Sequence, residues 1–210
     1  GRNGNKPWYL SQVYMRDVVR PSTLEVFSGP MKSGKTREAI NRVDKIQYLS
    51  NHDFRFIKPS LDTRSENIES RFGELSVTCT LVDEGKPEKI STVLNGESVV
   101  VVDEAQFFAD SIIQVVKGLL RDDRNVVVAG LDLDFRGEPF GAMPDLLSLA
   151  DHVTKLSAVC DYEECSAPGT RTQRLIEGEP APYDAPTVRV ETSSGEESYE
   201  VRCKAHHVVD

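Results

Sequence analysis

No apolar run in this chain approaches the roughly 18 residues needed to cross a bilayer, and the first residues lack the charged, apolar and small-residue succession of a secretory leader. These two absences predict an intracellular, cytoplasmic protein with no membrane partner. Basic charge is also scarce: 25 Lys and Arg are dispersed among 34 Asp and Glu, for a formal net charge of −9. An acidic surface repels polyphosphate backbones, and with no basic patch to offset it no nucleic-acid partner is expected. Cysteine is limited to Cys79, Cys160, Cys165 and Cys203, which a reducing compartment would keep from forming disulfides. Internal repeats and low-complexity tracts are absent. The remaining composition, 39% hydrophobic and 28% charged, is that of a globular protein and not a disordered one. The 210 residues allow one α/β domain and a small appendage but not two large domains.

Short β-prone runs alternate with helical patterns. Leu24–Phe27, Phe54–Lys58 and Leu75–Leu81 read as strands, the second closed off by Pro59. Ser98–Asp103 is a β-branched run suited to a strand buried on both faces, followed by Val126–Leu131 and Val153–Leu156. A helix is predicted over 34–49. Another runs through Ile112, Ile113, Val115, Val116, Leu119 and Leu120, which share one broad apolar face. Residues 60–74 are polar and predict an exposed loop. The alternation implies right-handed βαβ crossovers and a doubly wound, RecA-like parallel sheet in an α/β domain spanning 22–157. Residues 1–21 read as an N-terminal extension: 1–14 look unlike a domain start, and Met15 reads as the natural initiator. From 158 to 210 the chain turns rich in Pro, Gly, Ser and Glu, too poor in aliphatics to build a core unaided, and in need of a staple.

The segment Gly29-Pro30-Met31-Lys32-Ser33-Gly34-Lys35-Thr36 satisfies G-x-x-x-x-G-K-[ST] between a strand and a helix. In that setting the pattern is a phosphate cradle. Backbone N–H groups face the phosphates, Lys35 reaches the β- and γ-phosphates, and the Thr36 hydroxyl ligates Mg²⁺. Asp103-Glu104 closes the next valine-rich strand, where Asp103 would hold Mg²⁺ directly or through water. Glu104 either acts as general base on an incoming hydroxyl or water, or merely caps the following helix. Asp62-Thr63-Arg64 lies beyond the second strand. Arg64 there either neutralises charge on a transferred phosphoryl group or is a solvated loop residue. Phe107, Phe108, Phe135 and Phe140 fall in loops, placed to stack on a nucleobase or to fill the core. Cys160-x4-Cys165 and Cys203-x2-His206 pair as two knuckles suited to a tetrahedral, structural Zn²⁺, with His207 as an alternative fourth ligand. Cys79 reads as a small buried residue.

These pieces in this order resemble the type II thymidine kinases, deoxynucleoside kinases with a zinc-bearing lasso domain. The matching stretches are the loop at 29–36, Asp62-Thr63-Arg64, Asp103-Glu104-Ala105-Gln106-Phe107-Phe108 and Gly130-Leu131-Asp132-Leu133-Asp134-Phe135-Arg136-Gly137-Glu138-Pro139-Phe140-Gly141. Lys155–Cys160, Arg171-Thr172-Gln173-Arg174-Leu175 and Glu197–Cys203 complete them. The resemblance implies that Glu104 takes the proton from the thymidine 5′-hydroxyl as it attacks the γ-phosphoryl of ATP, with Arg64 stabilising charge. It places residues 29–36, Asp103 and Gln106 around Mg-ATP, and Met31, Asp62, Phe107, Leu131, Phe135, Phe140 and Tyr199 around the nucleoside. It also implies phosphorylation of deoxyuridine, a homotetramer and feedback by thymidine triphosphate. Three departures stand out: Lys32 where relatives usually carry an aromatic, the x4 knuckle where they have x2, and Ser70-Arg71-Phe72-Gly73 in place of a His-containing segment. The competing expectations are a RecA-like ATPase in which Glu104 activates water, and a zinc-knuckle binding module that uses nucleotide as a switch.

Overall fold

The computed structural model describes residues 22–50, 54–61, 67–72, 75–187 and 196–210. Segment 1–21, with Met15 and the expected extension, lies outside them, as do Asp62 and Arg64. The chain opens with β1 (Leu24–Ser28), whose end feeds the loop at 29–34 and helix α1 (Lys35–Ser50). Next come β2 (Phe54–Pro59), β3 (Asn67–Phe72) and β4 (Leu75–Val82). A short helix α2 (Lys89–Val93) leads to β5 (Val99–Val102), a 3₁₀ turn (Ala105–Phe107), α3 (Ile112–Arg121) and β6 (Asn125–Gly130). Helix α4 (Met143–Leu149) returns the chain to β7 (His152–Lys155).

These seven strands form one sheet in the order β3-β4-β2-β5-β6-β1-β7. All neighbours run parallel except β3, which pairs antiparallel with β4 at the edge. The loop expected over 60–74 is therefore corrected: its second half is strand. A polar run is compatible with that place because an edge strand is paired on one side only. The valine run shows why the centre of the sheet is parallel. Val100 and Val102 enter a core beneath α3 and α4, and Val99 and Val101 enter a second core beneath α1. Alternate side chains of one strand thus fill two apolar layers, which an all-valine sequence permits. Cys79 is fully buried in the second layer. The α3 pattern is realised as read, with Ile112, Ile113, Val116 and Leu119 buried.

Beyond β7 the chain changes character. Strands β8 (Ala158–Val159) and β9 (Pro168–Gly169) make a short antiparallel ladder. Strands β10 (Arg171–Ile176), β11 (Glu179–Pro180) and β12 (Glu197–Arg202) make an antiparallel sheet in the order β11-β10-β12. The apolar cluster here is small, Phe135 with Ala181 and Ala185, and Phe135 itself comes from the loop after β6. Among the described residues no helix is long and apolar enough to cross a membrane.

Ile57 is fully buried between β4 and β5, and its carbonyl accepts the Asp103 N–H at 2.9 Å. Ile57→Ala is expected to lower unfolding free energy by about 2–5 kcal/mol, read as a shifted midpoint in denaturant titration.

Candidate functional site

The parallel strands β1 and β5 end on the same edge of the sheet, and this brings two separate sequence motifs together. The loop after β1 turns at Gly29, with φ +151, where a Cβ would meet the Leu156 carbonyl oxygen at 2.5 Å. Only glycine fits between the loop and the chain leaving β7. The loop closes on Pro30, whose carbonyl accepts from Ser33 Oγ and from Lys35 Nζ, each at 2.7 Å. Thr36, in the first turn of α1, donates its hydroxyl to the Asp103 carboxylate at 3.0 Å. The loop and the acid after β5 are thus in direct contact, as their motifs predict.

Asp103 is fully buried. Beside Thr36 it faces Lys58 Nζ at 3.4 Å. Glu104 has left-handed backbone angles, φ 53 and ψ 38, and its side chain makes no capping bond to the 3₁₀ turn that follows. The capping role is therefore not observed. Its carboxylate instead accepts from Gln106 Nε2 at 3.2 Å, while Gln106 Oε1 accepts the Leu131 N–H at 3.1 Å. Gln106 is buried and sits behind Glu104, outside the cavity lining. Burial lifts the Glu104 pKa above the ordinary carboxylate value, and the Asp103 charge adds to this; Lys35, Lys58 and the Gln106 amide pull it partly back. Burial lowers the pKa of the Lys35 ammonium, against the attraction of Glu104 and Asp103. A carboxylate held in this way takes up a proton more readily than a solvated one.

A cavity of about 620 Å³ opens over this cluster. One side is the loop from Met31 to Thr36 and the Glu104 carboxylate; the other is Phe107, Leu131, Phe135 and Phe140, with Thr172, Thr187 and Tyr199 closing it. Phe107 meets Phe140 edge to face, with ring centroids 5.7 Å apart. The Phe135 ring lies under Arg136 at 5.0 Å and under Arg174 at 5.4 Å. Of the four phenylalanines weighed as stacking or core residues, Phe108 is core and the other three line the cavity. The loop that carries Phe135 and Phe140 is fixed by Asp134, whose carboxylate accepts the N–H groups of Arg136 and Glu138, and by Gly141. A Cβ on Gly141, at φ +51, would meet the Gln106 carbonyl oxygen at 2.5 Å. The two aromatic motifs are thus locked to each other through backbone contact.

At the far end of the chain, Cys160, Cys165, Cys203 and His206 bring their ligand atoms within 4.8 Å of one another. Three thiols and an imidazole at that spacing fit a four-coordinate soft metal. Burial pushes the Cys160 thiol up, yet the Cys203 and Tyr162 N–H groups and His206 outweigh it and bring its pKa down to about 6. The x4 spacing is accommodated: a turn closed by the Cys165 N–H on the Tyr162 carbonyl, 3.0 Å, folds Cys165 back. Of the two histidines, His206 is the one that stands with the three cysteines. His206 Nδ1 lies 3.3 Å from Cys203 Sγ, whereas His207 Nε2 is engaged by the Phe135 carbonyl at 2.7 Å. His207 therefore ties the knuckles to the cavity wall.

Several contacts of the site are foretold by no motif, even where a partner lies in one. Lys58 reads as an ordinary strand residue, though it ends beside Asp103. Thr172 Oγ1 accepts the Met31 N–H at 3.1 Å, and Lys32 Nζ donates to the Tyr199 carbonyl at 3.0 Å. Arg136 donates to the carbonyls of Tyr183 and Ala185, and Arg174 to that of Pro186. Most of these pairs join segments far apart in the chain and meet only in the fold, whereas Arg174 and Pro186 lie 12 residues apart.

Comparison with known proteins gives one consistent result. The family model described as thymidine kinase matches residues 22–207. A thymidine kinase of Coprothermobacter proteolyticus is 43% identical over 195 residues, covering 93% of this chain and 95% of that protein. A thymidine kinase of Halobacterium salinarum is 42% identical over 200 residues, covering 93% of this chain and 98% of that one. Among solved structures, the Thermotoga maritima RuvB Holliday junction branch migration motor matches at 15% identity with a TM-score of 0.41, over 71% of this chain and 42% of that one. That likeness is too slight to add to the sheet order described above. The cavity, the loop beneath it and the full-length matches agree, and the chain belongs to the thymidine kinase family.

Proposed function

We propose that this enzyme transfers the γ-phosphoryl group of ATP to the 5′-hydroxyl of thymidine, and of deoxyuridine, as a type II member of its family. The observation that carries the reading is one cavity with the phosphate loop and Glu104 on one side and three phenylalanines on the other. Its volume of about 620 Å³ lies in the range of small-molecule sites, and its apolar half suits a pyrimidine ring. Glu104 accepts the hydroxyl proton at a carboxylate oxygen while the 5′-oxygen bonds to the γ-phosphorus. The bond from phosphorus to the β,γ-bridging oxygen breaks, and the diphosphate departs as ADP. Gln106 holds the Glu104 carboxylate in place, and Lys35 neutralises charge on the phosphates. Thr36 and Asp103 would hold Mg²⁺, which when bound supplies further neutralisation at the departing diphosphate. Arg64 is proposed as the charge stabiliser and Asp62 as a nucleoside contact on family resemblance alone.

The segment 158–210 is proposed as a lasso domain, stapled by Zn²⁺ on Cys160, Cys165, Cys203 and His206. Four protein ligands leave no open position, so the metal's role is structural. Tyr199 and Thr187 are then lid residues that exclude water from the reacting phosphoryl group. A cytoplasmic homotetramer inhibited by thymidine triphosphate completes the proposal.

ATP consumption measured with each nucleoside in turn tests this reading. Thymidine should stimulate turnover strongly, and Glu104→Gln should lower the stimulated rate by about 10²–10⁴-fold. Rapid hydrolysis indifferent to nucleoside would favour the ATPase reading, with Glu104 acting on water. Metal analysis tests the staple: wild type should carry about one zinc per chain, retained in His207→Ala and lost in His206→Ala. The opposite pattern would refute the ligand assignment.

A further inference from the structure

Lys32 belongs to the phosphate loop by sequence, yet its ammonium group is committed elsewhere. We propose that Lys32 is a positioning residue that clasps strand β12 against the phosphate loop, so that the triphosphate side of the cavity orders the nucleoside side. The proposal rests on the kinase reading above and adds to it a specific coupling between the two substrates.

Two successive loop residues grip two adjacent strands of the small sheet. Lys32 Nζ donates to the Tyr199 carbonyl on β12 at 3.0 Å, and the Met31 N–H donates to Thr172 Oγ1 on β10 at 3.1 Å. The strands are themselves paired, Thr172 opposite Val201 and Arg174 opposite Tyr199. Lys32 achieves this with φ 62, a left-handed conformation uncommon for a residue with a long side chain and retained where surroundings over-determine it. Lys32, Thr172 and Tyr199 all line the cavity. Arg174, across from Tyr199, also covers the Phe135 ring. A shift of β12 therefore moves two walls of the nucleoside half together.

Phosphate binding is the rival role for this cation. Lys35 is the buried lysine of the loop, 7% exposed, whereas Lys32 is exposed to solvent. An ammonium in water gains little from a distant phosphate. A hydrogen bond to a backbone carbonyl fixes a position, which a screened charge does not. A phenylalanine in this place would lack the donor altogether, and the lysine brings a charged one.

The test uses the full chain as wild type, Lys32→Met and Lys32→Arg. KM values for thymidine and ATP are measured, together with hydrogen exchange of the β12 amides without substrates. Loss of one charge-assisted hydrogen bond should raise the KM for thymidine by about fivefold or more, exceeding any rise in the KM for ATP. The β12 amides should exchange faster while those of β5 do not, and Lys32→Arg should restore both readings. A rise confined to the KM for ATP, or β12 exchange unchanged in Lys32→Met, overturns the clasp. Failure of thymidine to stimulate even the wild type refutes the kinase reading alone, and the exchange measurement still decides the clasp.

Discussion

Two carboxylates lie side by side at the buried edge of the sheet, and they are kept compatible by two ammonium groups. Asp103 and Glu104 are neighbours in sequence, so their repulsion cannot be relieved by separation. Lys58 Nζ stands 3.4 Å from Asp103, and the charge of the Lys35 ammonium attracts both acids. Buried charges of one sign are costly unless opposed at close range, so the loop must sit where Lys35 can reach. Everything else at the site follows from this requirement. The parallel sheet brings the ends of β1 and β5 to one edge, the Thr36–Asp103 bond fixes the start of α1, and Gly29 admits the loop beside Leu156.

The cavity's second half depends on a different kind of support. The small sheet has almost no apolar core, so its shape is held by polar contacts, with the cluster of Cys160, Cys165, Cys203 and His206 beside it. Arg136 and Arg174 grip the carbonyls of 183–186 while their guanidinium groups cover Phe135. His207 takes the Phe135 carbonyl. One phenylalanine thus joins the segment that follows β6 to the segment that carries Cys203 and His206. Loss of the knuckle would be felt in the cavity and not only at the chain's end.

Periodicity made the central sheet legible, because a run such as Val99–Val102 suits only a strand buried on both faces. The phosphate loop and the acids after β5 were legible because the chemistry of phosphate needs a fixed spacing. Edge strand β3 was not, since its polar sequence carries no alternation and its partner β4 supplies the order. Gln106 was legible as part of a motif, but its place behind Glu104 was not. Lys58 was silent, and Thr172 and Arg174 were visible only as members of a matching stretch, because the fold alone shows what each of them touches. Lys32 stood out in the sequence as a departure, and only its bond to Tyr199 gave that departure a physical meaning.

The pH dependence of thymidine-stimulated turnover tests the central cluster most directly. A general base at Glu104 must be deprotonated to accept the hydroxyl proton, so on the proposed mechanism kcat/KM should fall as pH drops through its raised pKa. The acid limb should therefore lie above the ordinary glutamate value of 4.5, and Glu104→Gln should abolish it. An acid limb at or below that value in the wild type, or one that persists in Glu104→Gln, would contradict the account.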